Sequence, residues 1–477
     1  MKRHDFESEE SIESSEKLLD GWSKSHSLVS SYRLKVCLLT SFAIALTYAS
    51  RVALSVSIVA MTVPIPRPAG KLECGFHSNE SSKLFKGTYK WDITTQNTVL
   101  SGFYYGYSVF QIPAGLLCDR FGGKNMMLYS IVITSILTVL TPLCASISVN
   151  ALLILRVLMG AFEAPVFGAT LVLFSNWYCR FETTFCIGIA MSGSYLGTVF
   201  SELISGYFAD LSLLGGWPLS FYFIGFLAVP WSILWCIFVS DHPSQCSYIS
   251  NFEFNLIQSS TNCQNVTKKR ANWKKIASTF PLWGCVLGSC SLSFNMYVIL
   301  SSYPTYLSNI FGVSLHTNGI LSAFPFITFW AGTLGFSYIT DLLRRNVMAT
   351  SPARITLFAF GTLGSCVCNG IVHFMGCHLV AVEFLICMSM FFCSAMQQIA
   401  PNMVELFPNG VGIAYGIMNT FANSMGILSP YIVNFFTHGN VHSRSQWQKV
   451  FYFDNALMLV FGVLYIYLLD TKPQKIL

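Results

Sequence analysis

Apolar residues run in blocks broken by short polar turns from residue 34 to near residue 470 of the 477-residue chain. The blocks reach about 20 residues or more, the length an α-helix needs to cross a hydrocarbon core roughly 30 Å thick. Twelve spans are expected, near 34–63, 92–117, 125–147, 149–176, 183–209, 217–240, 276–309, 317–341, 353–376, 379–403, 411–437 and 447–469. The fold class read from this pattern is an all-α membrane protein of twelve transmembrane helices. Composition supports it: 53% of residues are hydrophobic and 10% charged, too apolar for an ordinary soluble domain.

The spans fall six and six around a polar centre, a plan of two pseudo-symmetric halves that transporters use to enclose a site at mid-membrane. The expected organisation is a disordered cytoplasmic tail over 1–33, a six-helix half over 34–240, a cytoplasmic loop over 241–275, a second half over 276–469 and a cytoplasmic tail over 470–477. The leader "DFESEESIESSEKLLDGW" is dense in charge and poor in apolar residues, the composition of a disordered segment. It has no short basic lead or cleavage site, so the first span is expected to stay. Its "EKLL" falls short of an acidic dileucine sorting signal, because Ser14 stands where an acid is required.

Basic residues in short connections set orientation. Arg33, Lys35, Arg120, Lys124, Arg180, Arg344, Arg345 and Arg354 all fall on one side, and the connections between spans 3 and 4, 5 and 6, 7 and 8, and 9 and 10 carry no Lys or Arg. Both termini are therefore expected in the cytoplasm. The net charge of +6 is mostly this signal, and no basic patch calls for nucleic acid. The loop over 64–90 faces the other side and holds "NES", which makes Asn79 a candidate glycosylation site. Asn265, in "NVT", lies in the central loop and should stay bare; the neighbouring "KKRANWKK" suits lipid headgroups. The sixteen cysteines show no metal or redox spacing, and neither a metal nor a cofactor is expected. Cys74 of the outer loop could pair with Cys377 ahead of span 10; the sequence leaves this open.

The stretch "LRVLMGAFEAP" places Arg156 and Glu163 inside span 4. An ionisable side chain there costs at least roughly 2.5 kcal/mol, so it faces a cavity or a partner. The two project from nearly one face about 10 Å apart along the axis, too far to pair, and each needs another partner. Arg51 sits mid-way along span 1 with Tyr48 one turn before it. Two arginines on different helices can form a positive site for a carboxylate or phosphate, with Glu163 as a candidate proton carrier. The competing reading is an ion-pair network that only locks helices together. Asn295, Asn402, Asn419 and Asn423 could line the other half, or could bond helix to helix. Span 11 is rich in small residues and ends at Pro430, which suits close contact and bending.

After span 2 comes "GLLCDRFGGK" and after span 8 "GFSYITDLLRR". Each sets an aspartate, Asp119 or Asp341, at a cytoplasmic helix end before basic residues: Arg120 and Lys124 in the first, Arg344 and Arg345 in the second. Asp119 is placed to accept hydrogen bonds from a neighbouring helix start, while Gly122 and Gly123 allow the tight turn. Such contacts can hold one gating state, or the charged turn can serve topology alone.

Gly-x-x-x-Asp-Arg-x-Gly-x-Lys resembles the signature of the major facilitator superfamily. Together with "WDITTQNTVLSGFYYGYSVFQIPAGLLCDRFGGK", "MSGSYLGTVF", "GGWPLSFY", "YPTYL" and "QWQKVFY", it is similar to the anion-transporting solute carrier family of sialin, the vesicular glutamate transporters and the type I sodium-phosphate cotransporters. The likeness runs from about residue 34 to 455. It implies that Arg51, Arg156 and Glu163 matter for anion transport, that Tyr48, Tyr105 and Tyr297 join them, and that the halves rock during a cycle coupled to protons or driven by membrane potential. The chain departs from the pattern at Met159, where sialin has a further glutamate, and at Leu100 and Leu292, where the vesicular glutamate carriers have a histidine and an arginine. Glutamate is thereby disfavoured as cargo. Glu202, unexpected in span 5, is either a replacement proton carrier or a residue touching headgroups.

The expected function is sialin-like secondary active transport of a small organic anion, of acidic sugar or amino-acid type, by alternating access coupled to protons, with H+ or Na+ the candidate coupling ions, in a lysosomal, vesicular or plasma membrane. Alternatives are sodium-dependent phosphate or urate-type transport, and an uncoupled anion channel or sensor. No nucleophile–base set, metal cluster or phosphate loop suggests an enzyme.

Overall fold

The computed structural model describes residues 31–62, 74, 88–91, 93–178, 182–209, 216–261, 273–313, 315–408, 410–437 and 443–474. Asn79, Arg180 and Asn265 lie outside the described residues. Each predicted apolar block is helical. The first half holds span 1 (Tyr32–Met61), span 2 (Ile93–Phe121), span 3 (Gly123–Ile147), span 4 (Val149–Glu163 and Pro165–Trp177), span 5 (Thr183–Ala209) and span 6 (Pro218–Phe238). The second holds span 7 (Phe280–Tyr306), span 8 (Leu315–Asn346), span 9 (Thr350–Val372), span 10 (Leu379–Cys393 and Ile399–Leu406), span 11 (Val411–Thr437) and span 12 (Arg444–Leu468). Two short helices, Asn251–Thr261 and Trp273–Ala277, lie in the central segment.

Span 7 begins at Phe280, later than expected, and ends in a π turn over Leu307–Phe311; two further spans are broken part-way along, and they occupy equivalent places in the two halves. Span 4 is interrupted at Ala164, where Pro165 supplies no backbone N–H and its ring prevents an unbroken helix. Span 10 tightens into a 3₁₀ turn over Ser394–Gln398 before resuming.

Among the described residues, ten helical segments are long and apolar enough to cross a membrane. Spans 2 and 11 fall outside that group. They carry more small and polar residues because they pack on each other across the junction of the halves, where side chains meet protein instead of lipid. A Cβ on Gly115 would lie 2.4 Å from the Gly412 carbonyl oxygen, so the two backbones nearly touch. Spans 5 and 8 form the matching contact: a Cβ on Gly188 would meet Ser337 Oγ at 2.3 Å.

The turn after span 2 closes as its glycines suggest. Gly122 has φ 85°, a conformation that disfavours side chains, and the Asp241 carboxylate accepts from Lys124 N at 2.8 Å. On the other side, Cys74 and Cys377 are joined by a disulfide. This fastens the connection after span 1 to the second half, and Cys74 N also donates to the Ile310 carbonyl at 3.2 Å.

Candidate functional site

Spans 2 and 4 approach closely because two glycines face the opposing backbone. A Cβ on Gly106 would fall 1.9 Å from the Val157 carbonyl oxygen, and one on Gly160 would fall 2.0 Å from that of Phe103. This contact fixes the rotation of span 2 and turns Phe103, Tyr104 and Tyr107 toward span 1.

There they surround Arg51. Its guanidinium carbon lies 4.5 Å from the Tyr48 ring centre, 4.3 Å from Phe103 and 4.7 Å from Tyr107, within the range of cation–π attraction. Arg51 Nη2 sits 3.3 Å from Glu163 Oε2, and Ser50 Oγ donates to Glu163 Oε1 at 3.1 Å. Glu163 is the last residue before the break in span 4.

Arg156 is held differently. Its Nη2 donates to the Arg51 carbonyl at 3.0 Å, and Nη1 lies 4.0 Å from Met159 Sδ. It is 2% exposed, and among the described residues no carboxylate lies within ion-pair distance of it. Among the described residues, the Nε atoms of both arginines are buried without a partner. Two cations and one carboxylate thus share a buried locus, which leaves one positive charge unmatched by a carboxylate among the described residues, a costly arrangement in a low-dielectric interior.

The second half supplies the facing wall. Asn419 Nδ2 donates to the Tyr107 hydroxyl at 3.2 Å, and the Tyr297 hydroxyl donates to Asn423 Oδ1 at 2.6 Å. The Tyr104 and Tyr297 rings meet edge to face, with centres 5.7 Å apart. The structure therefore gathers Arg51, Arg156, Glu163, Tyr48, Tyr297, Asn419 and Asn423 around one locus, and it adds Phe103, Tyr104 and Tyr107.

Four expected residues lie elsewhere. Tyr105 is 46% exposed on the outer face of the bundle, since one helical step turns it about 100° from Tyr104. Asn295 bonds within its own half, its Nδ2 donating to Asp454 Oδ2 at 2.7 Å. Asn402 donates to the Asp470 carbonyl at 3.1 Å near the end of the chain. Glu202 is half-buried with Oε2 lacking a partner; it forms no ion pair with Arg51 or Arg156.

The two loop aspartates make reciprocal contacts between the halves. Asp119, ending span 2, accepts from Gly412 N at 3.0 Å and Ile413 N at 2.9 Å in the first turn of span 11. Asp341, near the end of span 8, accepts from Phe185 N at 2.7 Å in the first turn of span 5. A helix start offers unpaired N–H groups and a positive dipole end, which a carboxylate satisfies. Arg344 extends the second contact: Nη1 donates to Thr184 Oγ1 at 2.9 Å, and Nη2 meets Glu405 at 2.6 Å. Glu405 in turn meets Arg354 at 3.1 Å.

Of the other residues in the turn after span 2, neither Arg120 nor Lys124 forms an ion pair across the halves among the described residues. Arg120 is exposed over the Phe121 ring, and the recorded bonds of Lys124 come from its backbone, to Asp241 and from Trp235. A further bridge that the sequence did not suggest joins Arg345 to Glu182 at 3.7 Å, and Glu182 is also paired with Arg33. Burial pushes the Glu182 carboxyl up from its ordinary range, while Arg33 and Arg345 pull it the other way.

Residues 40–430 match the family described as Major Facilitator Superfamily. Sialin from Homo sapiens is 32% identical over 449 residues, which cover 91% of this chain and 88% of sialin. Vesicular glutamate transporter 1 from Xenopus laevis is 27% identical over 393 residues, covering 81% of this chain and 67% of that protein. Among solved structures, the proton:xylose symporter XylE superposes with a TM-score of 0.69 at 13% identity, covering 93% of this chain and 98% of the symporter. That last likeness is one of fold.

Proposed function

Because this chain belongs to the major facilitator superfamily, and within it to the solute carrier family that holds sialin and the vesicular glutamate transporters, we propose that it moves a small organic anion by alternating access, coupled to protons. The chain is an integral membrane transporter; the substrate class and the coupling ion are the proposal. The observation that carries it is Arg156, a buried guanidinium with a carbonyl and a thioether for company and no carboxylate within ion-pair distance among the described residues. A substrate carboxylate would give it the two-pronged partner that a guanidinium fits. The tyrosines and amides around it favour an organic body with hydroxyl or carbonyl groups over bare phosphate.

Coupling follows from competition. Glu163 and the substrate carboxylate both seek Arg51. A proton on Glu163 removes the charge that holds Arg51 and hands that cation to the substrate. Protons therefore raise affinity for the anion, and the two travel together. The helix caps at Asp119 and Asp341 close the cytoplasmic end; rocking of the halves breaks both and opens the site there. Residence in a lysosomal or vesicular membrane, with Asn79 glycosylated on the lumenal side, fits this cycle.

The test is uptake by proteoliposomes of an acidic sugar, glutamate, aspartate, urate and phosphate, with and without a pH gradient. Saturable uptake of an organic anion that rises with the proton gradient is expected. Uptake of phosphate alone, driven by sodium, would overturn the reading.

A further inference from the structure

The second half contains a buried carboxylate that the anion site does not use. Asp454 of span 12 is 1% exposed, and the amides of Asn295 on span 7 and Asn369 on span 9 that face it are 1% and 2% exposed. Both amides donate to the same oxygen: Asp454 Oδ2 accepts from Asn295 Nδ2 at 2.7 Å and from Asn369 Nδ2 at 3.4 Å. The remaining oxygen of each residue, Asp454 Oδ1, Asn295 Oδ1 and Asn369 Oδ1, is buried with no hydrogen-bond partner among the described residues. No Lys, Arg or His forms an ion pair with Asp454 among the described residues. Cys366 and Cys393 lie close enough to feel its charge, and neither balances it.

We propose that Asp454, Asn295 and Asn369 form a sodium site within the second half, apart from the arginine pair. An isolated buried carboxylate needs a positive charge, and a hard cation takes oxygen ligands such as carboxylate and amide carbonyl. One carboxylate balances one charge, which selects a monovalent ion over a divalent one. A proton would satisfy a single oxygen and leave amide oxygens without donors, whereas a cation draws several oxygens at once. Turning an amide about its last torsion exchanges its NH2 for its oxygen at the same reach, so both asparagines can serve as ligands without movement of the backbone.

The site also has a mechanical route to the transport cycle. Asn295 and Tyr297 are two positions apart on span 7, about 200° around the helix. One faces Asp454 while the other meets Tyr104 and Asn423. An ion joining spans 7, 9 and 12 sets the posture of the helix that carries Tyr297. Only this effect on the cycle rests on the proposed function; sodium binding does not.

The experiment is binding of radioactive sodium to the purified full-length protein in detergent, at fixed pH and fixed ionic strength balanced with choline. Saturable binding displaced by unlabelled sodium is expected. Asp454→Asn should weaken it at least about tenfold, and Asn369→Ala, which keeps the carboxylate, should weaken it as well. Monodisperse elution of each variant shows that it folds. Absence of saturable sodium binding in the unaltered protein overturns the proposal, as does binding unchanged in both variants. Sodium binding intact in a protein that moves no organic anion supports this site and counts against the anion reading alone.

Discussion

The carboxylate of Glu163 lies 3.3 Å from the guanidinium of Arg51, a residue of another span. Arg156, seven positions before Glu163 in the same span, has no carboxylate within ion-pair distance among the described residues. The two arginines are therefore unequal: Arg51 is shared between Glu163 and a ring of aromatics, whereas Arg156 is held by the Arg51 carbonyl and Met159 Sδ. In the proposed cycle this inequality lets a proton and an anion act on the same site.

Glu163→Gln mimics the protonated state and releases Arg51. Exchange of anion across the membrane should persist, while uphill uptake driven by a pH gradient should be lost. The loss of a charge-assisted contact, roughly 1.5–3 kcal/mol, should also flatten the dependence of anion affinity on pH. Counterflow and gradient-driven uptake in the same proteoliposome preparation separate the two effects. Full gradient-driven uptake in the variant would remove Glu163 from the coupling.

Tyr105 and Tyr107 should behave oppositely although they are near neighbours. Tyr105→Ala alters an exposed face and should leave transport close to that of the unaltered protein. Tyr107→Phe deletes the hydroxyl that accepts from Asn419, a bond worth about 0.5–1.5 kcal/mol, and should lower transport several-fold. Initial rates at saturating and limiting anion measure both.

Asp119→Ala and Asp341→Ala should each loosen the cytoplasmic end by about 1 kcal/mol, the usual worth of a helix cap. Because each aspartate holds a different pair of spans, the double variant should shift the population toward a cytoplasm-open form further than either alone. Spin labels on the two halves near that end would read longer distances. Unchanged distances would mean that the caps serve stability and not gating.

Much of the fold was legible because one physical quantity, the length of an apolar run against the thickness of a membrane, governs it. The aspartate cap at Asp119 was legible too, since the turn that positions it is local. The rotation of span 2 was not. The run "YYGY" offers three tyrosines, and choosing among them requires knowing that Gly106 seats against Val157 of another span. The pairing of Asn295 with Asp454 joins residues 159 positions apart, and no local pattern announces it. The break in span 4 had a visible cause in Pro165, but an average of hydrophobicity passes over a single proline.

The central claim is that Arg156 receives the substrate's negative charge. Its most direct test is saturable uptake of the transported organic anion by Arg156→Ala and Arg156→Lys proteoliposomes, with folding checked by monodisperse elution. The alanine variant should lose saturable uptake, and the lysine variant, which keeps the charge but not the planar fork, should retain only a small part of it. An alanine variant that transports with unaltered affinity and rate would contradict the claim.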